Sequence, residues 1–390
     1  MTALITMFDR WVQAASLGKV SGIVLLDLSA AFDLVDHNYL VKKLEIYGLD
    51  NDCLKWISSY LGNRYQAVWI DNVISEFLKC EIGVPQGSNL GPLFFLIFFN
   101  DLLYTLTSSV DSYADDTTLT SSGDSVEDIE SKLNKDCERV CKWMKCNRLK
   151  LNPDKTHLLT MGTQRRLNNL PRPLSVRMDN IALMEEPSHF ESILGVYVQS
   201  NLKWQKQVSS LKAKLAQRLN GLNQIKNICS LSVRKLIAEG SFNSVLAYCL
   251  PLFGGMEKHQ LQELQILQNK AARLVCRVPP RYNRKEVFKK LNWFTVNQLI
   301  CYYTLIMVFK VRQSKSPEYL ANILCLNSRY GRIKTRKQTL TLASNSFTHR
   351  GVQLWNKLPS TVRNEERIGP FKRLLRQWIF NHIQAFPDEA

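Results

Sequence analysis

Four kinds of feature are missing from this 390-residue sequence, and each absence argues against a class of protein. The apolar run Leu93–Phe99 is too short to cross a bilayer, which takes about 20 residues, so we expect no membrane partner. No secretory signal pattern accompanies the ten cysteines, so we expect a nuclear or cytoplasmic protein with reduced thiols, not a secreted one. Cys137, Cys141, Cys146 and His157 match no common zinc-ligand spacing, and no internal repeats stand out.

Acidic residues are scarce in the last two thirds of the chain. Residues 1–134 have a net charge of −10, residues 135–260 of +11 and residues 261–390 of +16. With 45% hydrophobic residues, the chain is long enough to bury a sizeable core in two or three domains. The pattern predicts an acidic first part and a basic remainder suited to polyphosphate, although a basic surface alone is often just solvated.

Three aspartates lie at the ends of predicted strands. Residues 21–33 predict a buried strand that ends at Asp27 and turns through small residues into a helix. The adjacent Asp115 and Asp116 predict the tip of a tight hairpin with buried strands, where unpaired carboxylates are costly and need cations. Magnesium prefers oxygen ligands, and two ions about 3.5–4 Å apart can activate an attacking hydroxyl and stabilise a leaving pyrophosphate.

Taken singly, these residues have simpler interpretations. An Asp-Asp pair is commonly a solvated turn, and Asp27 alone could be a helix N-cap. The order of the motifs favours the metal site, because the strand ending in Asp27 is followed by the turn Gly83–Ser88, then an apolar helix over 90–103, then the hairpin. The ordered set therefore predicts a two-metal site for nucleotidyl transfer.

Four segments resemble the successive core motifs of reverse transcriptases: LLDLSAAFDLVDH (25–37), GVPQGSNLGPLFFLIFFNDL (83–102), YADDTTL (113–119) and LNPDKT (151–156). The similarity is closest to LINE-type, non-LTR retrotransposons of the jockey-like kind. Two later segments resemble the carboxy-terminal region of the same elements: LQILQNKAARLV (264–275) and RGVQLWNKLPSTVRNEERIGPFKRLL (350–375). The resemblance thus covers nearly the whole chain.

The resemblance implies an α+β fold. We expect a right-hand polymerase palm, with an antiparallel sheet and helices on one face, followed by a helical thumb and a basic, mainly helical C-terminal domain. We place the palm with residual fingers at 1–200, the thumb at 201–258 and a basic nucleic-acid-binding region at 259–390.

The resemblance also implies which residues carry the chemistry. Asp27, Asp115 and Asp116 would be the catalytic carboxylates, and they would hold two Mg²⁺ ions. Lys155 would protonate the departing pyrophosphate as a general acid. The alternative for Lys155 is a solvated loop over 152–155.

A second group of residues would contact the substrates. By the same resemblance, Phe32 would lie under the incoming sugar and exclude a ribose 2′-hydroxyl. Gln86 and Gly87 would lie against the templating base pair and the incoming nucleotide, where glycine permits close approach, and Tyr113 would also bind substrate. The alternatives are an ordinary core phenylalanine at position 32 and a plain turn at 86–87.

The function implied is RNA-directed DNA synthesis from an RNA template, a DNA primer and deoxynucleoside triphosphates. In the relatives a long stretch precedes the first motif and contains basic fingers residues; here the resemblance begins at the late fingers helix, so we expect part of the fingers to be missing. The alternative is an inactive remnant that only binds RNA or DNA, and an RNA-directed RNA polymerase is a third option.

The basic run Arg332–Lys337 is a weak nuclear-targeting candidate, and the sequence does not predict the oligomeric state.

Apolar spacing predicts further elements. We expect a helix marked by Leu40, Leu44 and Tyr47, a helix that opens at a capping box of Ser125 and Asp128, and a strand over Ser192–Val198. The thumb helix is predicted from an apolar stripe made of Val208, Leu211, Leu215, Leu219 and Leu222. Its basic residues lie on other faces, as in a helix facing a duplex or in an ordinary amphipathic helix.

Overall fold

The chain forms two compact units. A computed structural model describes residues 1–152, 155–183, 185, 189–324, 332–333, 341–344 and 346–383. One unit spans 19–189 and is called the sheet unit; the other combines 1–18 with 190–390 and is called the helical unit. These boundaries differ from the predicted functional division at 200 and 258, which stays a prediction. Residues 334–337 of the weak nuclear-targeting candidate lie outside the described residues.

Elements are numbered along the whole chain, and the first helix, α1 (Thr2–Ser16), belongs to the helical unit. The helices of the sheet unit are α2 (His37–Ile46), α3 (Asn51–Leu61), α4 (Gly91–Leu103), α5 (Val126–Cys146) and α6 (Gln164–Asn168). Its strands are β1 (Val20–Leu26), β2 (Leu28–Ser29), β3 (Tyr65–Gln66), β4 (Trp69–Ile70), β5 (Val73–Ile74), β6 (Leu78–Lys79), β7 (Ser109–Tyr113), β8 (Asp116–Gly123), β9 (Lys150–Leu151), β10 (His157–Met161), β11 (Arg177–Met178) and β12 (Ile181–Ala182).

The main sheet has four strands in the order β10-β1-β8-β7, and every neighbouring pair is antiparallel. One face of β1 lies so close to α5 that a Cβ at Gly22 would be 2.8 Å from side-chain atoms of Ile129 and Leu133. A side chain at position 22 would force these two side chains to shift, and both of them are buried in the core. The predicted antiparallel sheet with helices on one face is confirmed.

An exposed hairpin extends the sheet unit between α3 and α4. Strand β3 pairs with β6, and β4 pairs with β5. Its large apolar side chains are 59–70% exposed: Tyr65, Val68, Trp69, Ile70, Val73, Ile74, Phe77 and Leu78. Exposed apolar strand edges of this kind tend to pair with other chains.

The helical unit is built mainly from helices that follow a short hairpin. The hairpin strands are β13 (Phe190–Ile193) and β14 (Val196–Gln199). The helices are α7 (Gln205–Ile225), α8 (Leu231–Ala238), α9 (Ser244–Ala247), α10 (Lys258–Cys276), α11 (Arg284–Leu291), α12 (Val296–Ser314), α13 (Glu318–Leu324), α14 (Thr341–Ser344), α15 (Phe347–Lys357), α16 (Ser360–Arg363) and α17 (Ile368–His382). A π-helical turn, Glu239–Asn243, joins α8 to α9.

Two element predictions were wrong in detail. The single strand predicted over Ser192–Val198 is the hairpin of β13 and β14, because Leu194 and Gly195 have positive φ values of 48° and 78° and reverse the chain. Tyr47, predicted to mark a buried face, lies beyond the end of α2 and is 51% exposed. By contrast, every residue of the predicted α7 stripe is buried, which confirms that helix.

Polar residues of the motif at 264–275 have a structural role. Gln265 accepts a hydrogen bond from the Val296 amide, and Gln268 donates one to the Phe294 carbonyl. The Gln265 amide also donates to Gln268 and Asn269, so the buried polar groups satisfy one another. This network fixes the start of α12 against α10.

One stretch, Arg284–Ser314, is long and apolar enough by composition to cross a membrane, with a mean hydropathy of 1.4 over its apolar window. It comprises α11 and α12, and 67% of that window is buried. Helix α12 packs against α15 and α17. Its apolar character is thus accounted for by its position in the core of the helical unit.

Candidate active site

Asp27 and Asp116 lie at adjacent strand ends. Strands β1 and β8 are paired so that Leu26 lies opposite Thr117. Asp27 follows Leu26 and Asp116 precedes Thr117, so continuing the register by one residue places the two aspartates opposite each other. Opposed residues on antiparallel strands have Cα atoms about 4.5–5.5 Å apart and side chains on the same face. Residues 89 positions apart in the sequence are therefore brought together by the sheet.

The hairpin between β7 and β8 holds the third carboxylate. Tyr113 pairs with Asp116, which leaves Ala114 and Asp115 as a two-residue turn. Ala114 has a φ of 55°, in the left-handed region, so the chain reverses at the position the sequence predicted. Asp115 is half-buried at this tip. The prediction of two buried strands holds only for β8, since β7 is the edge strand and is partly exposed.

The three negative charges act on one another. Partial burial raises the pKa of Asp116, and the negative charges of Asp115 and Asp27 raise it further. Asp116 is an exposed residue. For the site, the more useful causes of its raised pKa are therefore the negative charges of Asp115 and Asp27, since they show that the three carboxylates interact. Each neighbouring negative charge disfavours the ionised form of Asp116, and this raises its pKa.

The donor set fits a divalent cation. All three side chains are carboxylates, the hard oxygen ligands that Mg²⁺ prefers, and a bound cation would remove the repulsion that raises the pKa of Asp116. Among the described residues no group of three His, Cys, Asp or Glu side chains is already arranged around a common point for a metal. The number and identity of the ions stay predictions.

Phe32 lies in the turn that follows Asp27. Its ring is half-buried and stacks on Phe95 of α4, with ring centroids 4.7 Å apart. Its carbonyl accepts a hydrogen bond from the Val84 amide at 2.8 Å. Phe32 is therefore partly a core residue, as the simpler interpretation holds. Its ring also stays partly exposed to solvent, five residues after Asp27 in the sequence.

The turn Gly83–Ser88 is attached to that same segment. The Gly83 amide donates to the Val35 carbonyl at 2.8 Å, and a Cβ at Gly83 would lie 2.8 Å from the Asp33 carbonyl oxygen. Gly83 also has a φ of 84°, so both the close approach of the Asp33 main chain and the backbone conformation disfavour a side chain at this position. The glycine therefore allows the two loops to touch.

Gln86 and Gly87 lie at the exposed end of this turn. The Gln86 side-chain amide donates to the Asp33 carboxylate at 2.8 Å. Gly87 has a φ of 77° and open space where a Cβ would point, so its conformation rather than crowding requires glycine. The structure brings both residues to the loop after Asp27, and their predicted contacts with a base pair stay predictions. Tyr113, beside the hairpin tip, is 63% exposed.

His37 and Asp36 are site residues to which the sequence analysis gave no role. His37 Nε2 lies 2.7 Å from the Gly83 carbonyl oxygen, so it donates a hydrogen bond across the two loops. Asp36 is buried, caps α2 by accepting from the Asn38 and Tyr39 amides, and forms an ion pair with Arg148 at 2.8 Å. The capping role of Asp36 could have been predicted from the sequence, since an aspartate directly before a helix is a common N-cap.

The segment with Lys155 is tied to the main chain of Asp27. The Asn152 amide donates to the Asp27 carbonyl at 2.9 Å, and the Asp27 amide donates to the Thr156 hydroxyl at 3.4 Å. Lys155 itself is exposed, and its ammonium has no hydrogen-bonding or ionic partner among the described residues. The structure thus places Lys155 near the strand end that carries Asp27, and its role as a general acid stays a prediction.

The hairpin of β7 and β8 is anchored by a buried carboxylate. Asp136 of α5 is fully buried and accepts hydrogen bonds from the Thr107 and Ser108 amides, which immediately precede β7. It also pairs with Arg139 at 2.8 Å. Burial alone raises the pKa of Asp136, but its hydrogen bonds with Ser108, Thr107 and Arg139 outweigh that effect and hold the pKa below its usual value.

Comparison with known proteins identifies the family. Residues 4–211 match the family model described as reverse transcriptase (RNA-dependent DNA polymerase). The chain belongs to the reverse transcriptase family. The LINE-type resemblance is also confirmed, because the similar curated proteins include polymerases of Drosophila non-LTR retrotransposons.

Two such relatives illustrate the extent of the match. The probable RNA-directed DNA polymerase from transposon BS of Drosophila melanogaster is 26% identical over 298 residues, covering 72% of this reverse transcriptase chain and 32% of that protein. The RNA-directed DNA polymerase from mobile element jockey of Drosophila melanogaster is 24% identical over 279 residues, covering 68% of this chain and 30% of that protein. The chain thus spans about a third of the length of the curated relatives it matches.

Solved structures similar to this reverse transcriptase chain include telomerases. Apo telomerase from Candida tropicalis has a TM-score of 0.43 at 10% identity, covering 97% of this chain and 57% of that one. Telomerase from Candida albicans, solved with a fragment of telomeric RNA, has a TM-score of 0.37 at 15% identity, covering 84% and 52%. Likeness at this level supports no further argument.

Proposed function

We propose that this chain is the polymerase part of the RNA-directed DNA polymerase of a LINE-type retrotransposon. The observation that carries the proposal is the convergence of Asp27 with the Asp115–Asp116 hairpin at one end of an antiparallel sheet, in a member of the reverse transcriptase family. The partners we propose are an RNA template, a DNA primer and deoxynucleoside triphosphates. The relatives' names support the first of these, since they are RNA-directed polymerases.

The chemistry proposed is attack of a primer 3′-hydroxyl, which loses its proton to solvent, on the α-phosphate of a deoxynucleotide, with pyrophosphate as the leaving group. Members of the family generally use divalent metals, and bound Mg²⁺ ions, two in our proposal, would supply Lewis-acid activation and charge neutralisation. Asp27, Asp115 and Asp116 hold these ions. Lys155, on the segment bonded to the Asp27 main chain, gives a proton to the pyrophosphate oxygen as the bond to the α-phosphate breaks.

The remaining residues position the substrates. Phe32 presents its exposed side to the incoming sugar and disfavours a ribose 2′-hydroxyl. The turn with Gln86 and Gly87 lies beside the templating base pair, and Tyr113 contacts the substrate from the hairpin. Hydrogen bonds between residues 32–37 and 83–86 support this arrangement, because they hold the two loops as one surface.

The test is primer extension by the purified chain with an RNA template, a DNA primer and deoxynucleotides. The double substitution Asp115→Asn, Asp116→Asn should lower the extension rate at least 100-fold, because even groups that only support metal ligands are worth about 10–100-fold. The matched control is Asp71→Asn, Asp124→Asn, which removes the same charge from two exposed residues of the sheet unit. Equal extension by the two double variants would contradict the assignment.

A second function is favoured by the charge of the helical unit. This unit has 33 basic and 11 acidic residues, a net charge of +22, whereas the sheet unit has 18 and 23, a net charge of −5. We propose as the alternative an inactive remnant that binds RNA or DNA without synthesis. It would be identified by salt-dependent binding of primer–template together with no nucleotide incorporation by the unsubstituted chain.

A further inference from the structure

The exposed hairpin between α3 and α4 is open on both faces. Trp69 and Ile70, which follow each other in β4 and so point to opposite faces, are 70% and 65% exposed. Strands β3 and β6 form one two-stranded ladder and β4 and β5 another, and no third strand of the described residues joins either ladder. An isolated two-stranded hairpin is at best marginally stable in water, and further strands or a packed face stabilise it. This hairpin would therefore gain stability from an added strand.

One edge of the hairpin is free to accept such a strand. The Cys80 amide donates to the Arg64 carbonyl at 2.8 Å, and the Ser75 amide donates to the Val68 carbonyl at 2.9 Å. The main-chain groups of these even-numbered residues on the first strand thus point into the hairpin. Because this direction alternates along an antiparallel strand, the groups of the odd-numbered residues point outwards. The outward-pointing residues are Tyr65, Ala67 and Trp69.

The opposite edge, formed by β5 and β6, is less suited to pairing. Residues 75–77 of this strand lie opposite residues 67–68 of the other, so it contains a β-bulge. It also carries the charged residues Glu76 and Lys79. Bulges and charged side chains are features by which proteins prevent pairing at strand edges. Pairing is thus directed to one edge, and this favours a closed pair of hairpins over an open-ended stack.

The free edge is complementary to itself. When a second copy lies antiparallel, with Ala67 opposite its own counterpart, Tyr65 of each copy lies opposite Trp69 of the other. All the outward-pointing residues then face outward-pointing residues, as the hydrogen bonds of an antiparallel ladder require. Aromatic pairs across neighbouring strands stabilise sheets. The same register leaves the small Ala67 at the two-fold axis.

The ends of the free edge are also complementary in charge. Arg64 precedes the edge and Asp71 follows it, and no residue between them is charged. In the register centred on Ala67, Arg64 of each copy lies opposite Ile70 of the other, next to its Asp71. Within the described part of the chain neither Arg64 nor Asp71 forms an ion pair, and Nη1 of Arg64 is buried without a hydrogen bond.

We propose that the edge formed by β3 and β4 is a self-association surface, through which two copies of this chain form a two-fold dimer. The two hairpins then make one four-stranded antiparallel sheet. One face of this sheet carries Tyr65 and Trp69 of both copies, together with Ile74, which pairs with Trp69 inside each hairpin. Every contact occurs twice, as in other isologous interfaces.

Cysteine cross-linking tests the register. Opposed residues in a hydrogen-bonded antiparallel pair have Cα atoms about 5.5 Å apart, a distance that a disulfide can span. Ala67→Cys should therefore give a covalent dimer on mild oxidation, seen by non-reducing gel electrophoresis. The matched control is Val73→Cys on the other strand of the hairpin, at a position that is 70% exposed; it should give no more dimer than the unsubstituted chain. That chain sets the background from native thiols such as the exposed Cys53 and Cys146.

Sedimentation velocity of the full chain at about 1–100 µM measures the dimer without a cross-link. Trp69→Lys should raise the dissociation constant at least about 10-fold, because it removes both aromatic pairs and puts a charge on the edge. Phe77→Lys adds the same charge at a position that is 67% exposed but lies in the bulged strand. It should change the dissociation constant by less than about threefold, as is usual for surface substitutions. All samples are treated with nuclease, so that nucleic acid does not tether two chains.

Four results would overturn the proposal. A chain that stays monomeric over this concentration range would leave the edge to another partner. A dimer weakened equally by Trp69→Lys and Phe77→Lys would lie elsewhere on the surface. Particles that keep growing beyond the dimer would mean open-ended stacking, and equal cross-linking of the two cysteine variants would exclude the register. None of these measurements needs polymerase activity, so they test the dimer separately from the proposed function.

Discussion

At the scale of single residues, the site depends on contacts between loops that are distant in sequence. The loop after Asp27 and the turn Gly83–Ser88 are joined by backbone hydrogen bonds and by two side chains, His37 and Gln86. Among the described residues, the hydrogen bond of His37 goes to the Gly83 carbonyl and not to Asp27, Asp115 or Asp116. His37 is a positioning residue, because its hydrogen bond to the Gly83 carbonyl sets where the turn lies relative to Phe32.

Replacing His37 by Ala should raise KM for the deoxynucleotide about 3–10-fold and change kcat less. The reason is that one hydrogen bond between the loops is worth about 1 kcal/mol, and 1.4 kcal/mol corresponds to a tenfold change. Steady-state primer extension at varied nucleotide concentration measures both constants. His37→Gln, whose amide nitrogen can reach the same carbonyl, should restore most of the loss. A fall in kcat alone, or no rescue by Gln, would contradict the positioning role.

At the scale of elements, the hairpin of β7 and β8 owes its position to α5. The segment that leads into β7 is held by Asp136, which accepts from the Thr107 and Ser108 amides. Strand β7 is an edge strand of the sheet, paired on one side with β8, so this anchor adds to the contacts that hold it. The helix thus fixes the edge of the sheet next to the catalytic aspartates.

Asp136→Asn should lower the free energy of unfolding by about 2–3 kcal/mol at pH 7, since hydrogen bonds to a charged group are worth about 1.5–3 kcal/mol. The pKa of Asp136 is depressed in the folded state, so its stabilisation is fully present above the unfolded value near 3.9 and is lost as the pH falls through the folded value. Urea unfolding of both proteins between pH 7 and pH 3 measures this. The difference between them should be constant above about pH 5 and shrink below pH 4. A difference that grows on acidification would exclude this role.

Local signals in the sequence predicted local elements well. Ser125 caps α5 by accepting from the Asp128 amide, and the apolar helix expected over 90–103 is α4, Gly91–Leu103. The hairpin tip at Ala114 was also predicted, because a two-residue turn is determined by its own residues and its flanking strands. The bonds of His37 and Asp136 were not predicted, because their partners lie 46 and 28–29 residues away and nothing in the spacing identifies them. The part of the site that could not be predicted from the sequence is therefore the part made by tertiary contacts.

At the scale of the whole molecule, the helical unit is built from two stretches of sequence that are separated by the sheet unit. Helix α1 belongs to the helical unit together with residues 190–390, although the sheet unit intervenes in the sequence. The link is specific: Asp9 is buried and accepts from the Phe347 and Thr348 amides at the start of α15, 2.7 and 2.8 Å away. Burial raises the pKa of Asp9, while these hydrogen bonds and the positive charge of Arg350 oppose that shift.

Asp9→Ala should destabilise the helical unit by about 2–4 kcal/mol and leave the sheet unit folded. The substitution strips two buried amides of their acceptor, each at a cost of about 1–3 kcal/mol, and removes the carboxylate near the partly buried Arg350. Hydrogen exchange followed by peptide mapping resolves the two units in one sample. Protection should fall in α1, α15 and α12, which packs on α15, and stay unchanged in β1, β8 and α5. Asp9→Asn, which retains one acceptor oxygen, should give an intermediate loss. Uniform loss of protection over both units would mean that they unfold as a single cooperative body, and protection retained in α15 would show that α1 is dispensable for the helical unit.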